Sequence, residues 1–200
     1  MLIGLTGKYC SGKSEAAKFL AEKGLRIIDA DALGHQVLEE RKEEVAAAFG
    51  NTYITSDGRI ERRSLGRLVF ADAEKLLTLE AIVHPRVKEK IAALLAASDE
   101  PTVIHAALLF YGGLDALCSR IIIVEAPLLD RINRALARDN LGIWAVFRRI
   151  RKQKNLIPQF SQLPADTLVV KNAGTRGELR EAVFAALSRL ERVWNGTKYF

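Results

Sequence analysis

Five short apolar runs punctuate the chain, and between them apolar residues fall at helical spacing. The runs are Leu2-Ile3-Gly4-Leu5-Thr6, residues 25–28, 102–104, 120–125 with Ile121-Ile122-Ile123-Val124, and 167–170. None alternates polar with apolar, which is the pattern of strands buried on both faces of a parallel sheet. Over 14–23, Ala16, Ala17, Phe19 and Leu20 share a helical face and Gly24 supplies a stop. Further helices are predicted over 32–49, closing at Gly50, then over 63–70 and 73–83. His84-Pro85 reads as a break, because proline disfavours helix at the preceding residue and suits the first turn of a new one, here 87–97. Later helices are predicted over 128–138, from Gly142 through Lys154, and over 178–193, with turns at Asp57-Gly58, at Asp139-Asn140-Leu141-Gly142 and at Asn172-Ala173-Gly174. Strands alternating with helices predict an α/β fold with right-handed crossovers.

Composition narrows the class. At 200 residues, with 49% hydrophobic and 27% charged residues, the chain is long enough for one globular domain with a sizeable core. Cys10 and Cys118 are too few for a disulfide framework and lack the clustered spacing of a zinc site, which favours a reducing cytosol. The longest uncharged run, 101–114, falls short of the ~18 apolar residues a membrane span needs. The start, Met1-Leu2-Ile3-Gly4-Leu5, shows no basic stretch of a signal peptide. A cytoplasmic protein without a membrane segment is expected.

Net charge is +6, yet eight basic residues and one acid, Asp139, lie between Arg131 and Lys154. That segment carries 8 − 1 = +7, so the remainder is 6 − 7 = −1. Most charge runs are solvated helix faces. Trp144 and Phe147 are the only aromatics in it, which argues against a nucleic-acid surface. A cluster that gathers polyphosphate remains.

Gly7-Lys8-Tyr9-Cys10-Ser11-Gly12-Lys13-Ser14 fits G-x-x-x-x-G-K-[ST] directly after a predicted strand and before a predicted helix. The two glycines let backbone N–H groups turn inward on phosphate oxygens, and the helix N-terminus adds positive potential. Lys13 is placed to bridge the β- and γ-phosphates and Ser14 to hold Mg²⁺. Cys10, Ser11, Gly12, Lys13, Ser14 and Glu15 are the candidate nucleotide-binding residues. No Asn-Lys-x-Asp motif for guanine is present, and a motor ATPase would normally be larger; a small-molecule kinase that closes over its phosphates fits best.

Asp29-Ala30-Asp31 follows the second strand. In an extended segment both carboxylates leave the same side, at the sheet edge where α/β proteins bind ligands. They can serve the metal's water shell, with Asp29 beside Ser14, or take the acceptor hydroxyl's proton. Asp31 could instead cap a helix starting at Ala32.

The chain resembles the bacterial dephospho-CoA kinase family. The matches run in order over nearly the whole chain: Ile3-Gly4-Leu5-Thr6-Gly7, Ser11-Gly12-Lys13-Ser14, Ile28-Asp29-Ala30-Asp31-Ala32 and Asp57-Gly58-Arg59. They continue with Val69-Phe70-Ala71-Asp72, Leu79-Glu80-Ala81-Ile82-Val83-His84-Pro85, Leu108-Leu109-Phe110, Ala137-Arg138-Asp139 and Asn172-Ala173-Gly174-Thr175. The resemblance implies a three-layer P-loop kinase fold with strand order 2-3-1-4-5, one domain over 1–200. Within it an acceptor-binding helical insertion would span about 32–98 and a basic lid about 131–154. It implies ATP-dependent phosphorylation of the ribose 3′-hydroxyl of dephospho-CoA with Mg²⁺, the final step of coenzyme A synthesis, in a monomer or small homo-oligomer. By the same analogy Asp31, Lys13 and Arg138 are catalytic, Asp29, Asp31, His84 and Arg86 bind the acceptor, and residues 172–175 lie on the adenine side. Arg134 and Arg138, one helical turn apart, would grip phosphate together.

The sequence also departs from the family pattern. Gly7-Lys8-Tyr9-Cys10 stands where the family has Gly-Gly-Ile-Gly, and Glu15 where it has Thr, which brings a negative side chain toward the α-phosphate. After the third strand, His105-Ala106-Ala107-Leu108-Leu109-Phe110-Tyr111 replaces Asp-x-Pro-Leu-Leu-Phe-Glu. The lost acid and Glu15 raise the alternative of a catalytically weakened nucleotide- or CoA-binding relative. Cys10, near Lys8, Lys13 and a helix N-terminus, is expected to favour thiolate.

Overall fold

Strand β1 (Leu2–Gly7) lies at the centre of a five-stranded sheet, where it pairs with β3 (Thr102–His105) and β4 (Arg120–Glu125). β2 (Arg26–Asp29) and β5 (Thr167–Lys171) flank these, giving the order 2-3-1-4-5 with every pairing parallel. The computed structural model describes residues 1–139, 142–152 and 166–196, with Ile157 and Leu163. Asn140, Leu141 and Lys154, placed by sequence in the lid, lie outside the described residues.

The two-sided burial read from the apolar runs holds. Ile3, Leu5, Val103, Ile122 and Val124 join one core with Ala16, Phe19 and Leu20 of α1 (Lys13–Glu22) and Leu179, Val183 and Leu187 of α8 (Arg176–Gly196). Their strand neighbours Ile104, Ile121 and Ile123 are equally buried. A side chain at Gly4 would meet Leu109 at 2.7 Å and Cys118 at 3.0 Å, so that position tolerates no Cβ without repacking.

The chain divides into two compact units, one of residues 1–29 and 100–200, the other of Ala30–Asp99. The second is mainly helical: α2 (Ala30–Glu40), α3 (Lys42–Phe49), α4 (Arg62–Val69) and α5 (Ala73–Ala96), with one antiparallel bridge between Ile54 and Ile60. Leu38, Val45, Ile60, Leu65 and Val69 are its core. Glu61 and Asp72 cap α4 and α5 by accepting from the backbone N–H groups of Arg63 and Ser64, and of Glu74 and Lys75.

Three expectations are corrected in this unit. The single helix over 32–49 is two helices, broken at Arg41 (φ −101°, ψ 20°) with no glycine or proline to announce it. Both halves pack on α5, and that tertiary packing overrides local propensity. Conversely, Pro85 does not break α5, which runs 24 residues through it. Pro85 and Ala81 both face solvent, so water can satisfy the carbonyl of Ala81 that loses its partner, while Val87 and Ile91 hold the opposite face in the core. Finally, helix α2 begins at Ala30, so Asp31 is not its cap but lies in its first turn.

In the first unit, α6 (Leu128–Asp139) and α7 (Ile143–Lys152) form a pair around Ile132, Ala135 and Val146. Among the described residues no helix is long and apolar enough to cross a membrane.

Candidate functional site

The loop between β1 and α1 has the form its glycines demand. Gly12 sits at φ +98°, ψ 11°, and precedes α1 with no side chain capping the helix. With no side-chain cap, the N-terminus of α1 presents the positive end of the helix to the loop. Lys13 and Ser14 are the first two residues of that helix, with Ser14 exposed. Ser11 is buried, and its Oγ lies within the loop with no protein hydrogen-bond partner. This is a cradle shaped for phosphate oxygens.

Asn172 anchors the cradle from β5. Its Nδ2 donates to the carbonyl of Ser11 at 2.8 Å and its backbone N–H to the carbonyl of Glu125 at 2.6 Å. Arg134 Nη2 in turn donates to the carbonyl and Oδ1 of Asn172, each at 3.3 Å. Arg131 is buried, and its Nε donates to the carbonyl of Tyr9 at 2.8 Å. Arg134 and Arg138 therefore do not share one grip: Arg134 holds the loop that starts at Asn172, and Arg138 sits with Tyr9 and Asp139.

Glu15 does not project a bare charge toward the phosphates. Arg176 Nε donates to its Oε1 at 2.6 Å and Lys18 Nζ pairs with Oε2 at 3.2 Å. The hydrogen bond from Arg176 is the main reason its carboxyl titrates below the usual range. Cys10 is the one described non-glycine residue at positive φ (+58°). The expected thiolate is not favoured there: burial pushes the thiol above its ordinary 9.0, and the nearby Arg138 offsets this only in part. Cys118, more deeply buried, is pushed up to about 12.

At the carboxyl edge of the sheet, Asp29 ends β2 opposite His105 at the end of β3. His105 is buried, and its Nδ1 lies 3.5 Å from Asp29 Oδ2. Because the strand stops at Asp29, the alternation argument does not reach Asp31, which is exposed and helical. His84 and Arg86 lie on α5, where Arg86 pairs with Glu89 at 2.7 Å. The helical unit also holds a cavity of about 720 Å³, lined by His35, Glu39, Lys42, Asp57, Arg59 and Arg62 among others. Asp31, His84 and Arg86 are not among its lining residues.

A family model described as dephospho-CoA kinase matches residues 1–178. The chain belongs to the dephospho-CoA kinase family. It is 36% identical over 191 residues to a dephospho-CoA kinase of Thermus thermophilus, covering 95% of this chain and 92% of that one. A Thermobifida fusca dephospho-CoA kinase is also 36% identical, over 195 residues and 96% of its length. Among solved structures, a Thermus thermophilus protein superposes with a TM-score of 0.82 at 34% identity, covering 95% of this chain and 97% of that one. Sequence reasoning missed several parts of this kinase site: the side-chain roles of Tyr9, Asn172 and Arg176, and the inward turn of Arg131. The i, i+3, i+7 spacing of Arg131, Arg134 and Arg138 held the signal that one helix face supplies all three.

Proposed function

We propose that this chain transfers the γ-phosphoryl group of ATP to the ribose 3′-hydroxyl of dephospho-CoA, yielding coenzyme A and ADP. The observation that carries this is the uncapped, Gly12-turned phosphate loop at the head of α1 in a chain of the dephospho-CoA kinase family. Backbone N–H groups from Gly12 to Ser14 hold the phosphates, and Lys13 neutralises charge that builds on the β- and γ-oxygens. Asp31 accepts the proton of the attacking hydroxyl, and Arg138 faces the transferring group from the lid. The helical unit, through His84 and Arg86, holds the acceptor.

The residues fit Mg²⁺ rather than a self-contained metal centre. Among the described residues no group of three or more His, Cys, Asp or Glu could hold an ion. Ser14 and Asp29 offer a hydroxyl and a carboxylate, which suits a cation carried mainly by phosphates and water. Bound there, Mg²⁺ supplies charge neutralisation at the triphosphate. Incubation with Mg-ATP and dephospho-CoA, with coenzyme A detected by mass spectrometry, tests the assignment. Lys13→Ala should abolish turnover, and normal turnover by that variant would overturn the site. Asp31→Asn should keep ATP affinity within about threefold and lower kcat by on the order of 10²–10⁴. A mild Asp31→Asn beside a severe Asp29→Asn would reverse their roles.

A further inference from the structure

Tyr9 lies in the phosphate loop and meets both α6 and α7. Its hydroxyl donates to Asp139 Oδ2 at the end of α6. The same carboxylate accepts from Arg138 Nε at 2.7 Å and Nη2 at 3.2 Å, and from Arg149 Nη1 on α7 at 3.2 Å. Both guanidiniums also lie over the Tyr9 ring, 5.5 Å and 5.7 Å from its centre, and Arg149 reaches the hydroxyl at 3.4 Å. The ring packs with Cys10 against Ile132, Ala135 and Val146, and Arg131 fixes the Tyr9 carbonyl from below.

One side chain thus meets both lid helices, both guanidiniums and the carboxylate that pairs them. Isoleucine could supply the packing but neither the hydroxyl donor nor the π-face. We propose that Tyr9 is a positioning residue, a latch between the phosphate loop and the lid that holds Arg138 and Arg149 in register with the loop before nucleotide arrives. The reasoning is geometric. Two flexible cations that repel one another stay side by side only if an anion lies between them and a surface lies beneath them; Asp139 is the anion and the Tyr9 ring the surface. Strain points the same way. Cys10, next in sequence, is held at φ +58°, and a non-glycine residue keeps such a conformation only where its surroundings over-determine it. The ties through Tyr9 supply that determination. The consequence rests on the kinase reading: pre-aligned guanidiniums lower the barrier to transfer, so losing the latch acts on kcat more than on ATP affinity.

The test uses the full chain with Tyr9→Ile, Tyr9→Phe, Arg138→Ala and the Tyr9→Ile/Arg138→Ala double variant. Expected for Tyr9→Ile is a fall in kcat of about tenfold or more with ATP affinity within about threefold, and for Tyr9→Phe, which keeps the π-face, an intermediate fall. In the Arg138→Ala background, Tyr9→Ile should cost less than about twofold, since its effect runs through that arginine. Full additivity, or unchanged kcat in Tyr9→Ile, would overturn the latch. If Tyr9→Ile loses its cooperative urea transition, Tyr9→Phe and Asp139→Asn with their Arg138→Ala doubles carry the same comparison. Tryptic cleavage in α6 and α7 without nucleotide should accelerate at least about threefold in Tyr9→Ile. That measurement needs no acceptor: if the wild-type protein makes no coenzyme A yet Tyr9→Ile shows this acceleration, the reaction assignment is defeated and the latch stands. Equal cleavage rates defeat the latch.

Discussion

Gly12 and Asn172 should be energetically coupled, and the structure sets both size and sign. A Cβ at position 12 would collide with Asn172 Nδ2, the atom that donates to the Ser11 carbonyl. Gly12→Ala therefore incurs two costs. Backbone at φ +98° is strained for alanine by roughly 1–3 kcal/mol, less about 0.4–1 kcal/mol regained from the stiffer unfolded chain. Expelling the amide leaves the Ser11 carbonyl without its partner, roughly 1–3 kcal/mol more. Asn172→Ala alone incurs this second cost and the loss of the Arg134 hydrogen bond to its Oδ1, a loss that recurs in the double variant and so cancels from the coupling. In the double variant the collision has gone and the hydrogen bond is lost once instead of twice. The double should therefore be less destabilised than the sum of the singles by about 1–3 kcal/mol. Urea denaturation of the four proteins measures this, with equal m-values confirming a common unfolding transition. At about 2–4 °C per kcal/mol for a chain of this size, Gly12→Ala should lower Tm by roughly 2–20 °C. Additivity within about 0.5 kcal/mol would refute the close approach of Asn172 to the loop.

Other outcomes follow from the same geometry. Cys10 should alkylate faster than Cys118, whose thiol is pushed up to about 12, yet more slowly than an unburied cysteine, and ATP should protect it; faster labelling of Cys118 refutes this. His105→Asp should lower the Mg²⁺ concentration for half-maximal rate by restoring negative charge opposite Asp29, and superimposable Mg²⁺ titrations would show that the metal does not sense position 105. The latch should be insensitive to pH across the neutral range. Asp139 is held down to about 2 by Arg138, so its contribution is complete above 3.8 and lost only as pH falls through about 2. Burial and the Asp139 hydrogen bond raise Tyr9 above 10.0, so its contribution is complete below 10.0 and lost above that raised value. The kcat ratio of wild type to Tyr9→Phe should then be flat from about pH 5 to about pH 9, and a slope there would mean another group titrates within the latch.

How far the sequence was legible depended on whether a feature is written in local pattern or in tertiary contact. β4 could be read because Ile121-Ile122-Ile123-Val124 has nowhere to go but between two apolar layers, and Gly12 because the phosphate motif fixes its conformation. The break at Arg41 was invisible, since nothing in Glu39-Glu40-Arg41-Lys42-Glu43 disfavours helix locally. Pro85 misled for the opposite reason: its local penalty is small once its face is wet and the other face is buried. Asp31 was assigned the wrong local geometry because the end of β2 falls two residues earlier than the extended reading required. The role of Tyr9 could not be read locally, because its partners Asp139 and Arg149 are 130 and 140 residues away.

The departures from the family pattern can be judged together against the alternative of a weakened relative. A decaying site should show unpaired charges and unsupported strain where the old residues were lost. Instead Glu15 is neutralised by Arg176, a residue immediately after the Asn172–Thr175 motif, so the substitution ties the loop at residues 172–175 to α1. Tyr9 is engaged by Asp139, Arg138 and Arg149, and the backbone strain at Cys10 sits between that anchor and the turn in which Ser11 N–H donates to the Lys8 carbonyl at 3.0 Å. His105 packs its imidazole against Asp29, which keeps the remaining carboxylate oriented although the second negative charge is gone. Only the last of these removes a negative charge from the sheet edge, and it leaves Lys13, Ser14 and Asp31 in place. The substitutions therefore read as a rebuilt support around an intact phosphate cradle, with the cost confined to metal affinity, where the Mg²⁺ titration of His105→Asp would find it.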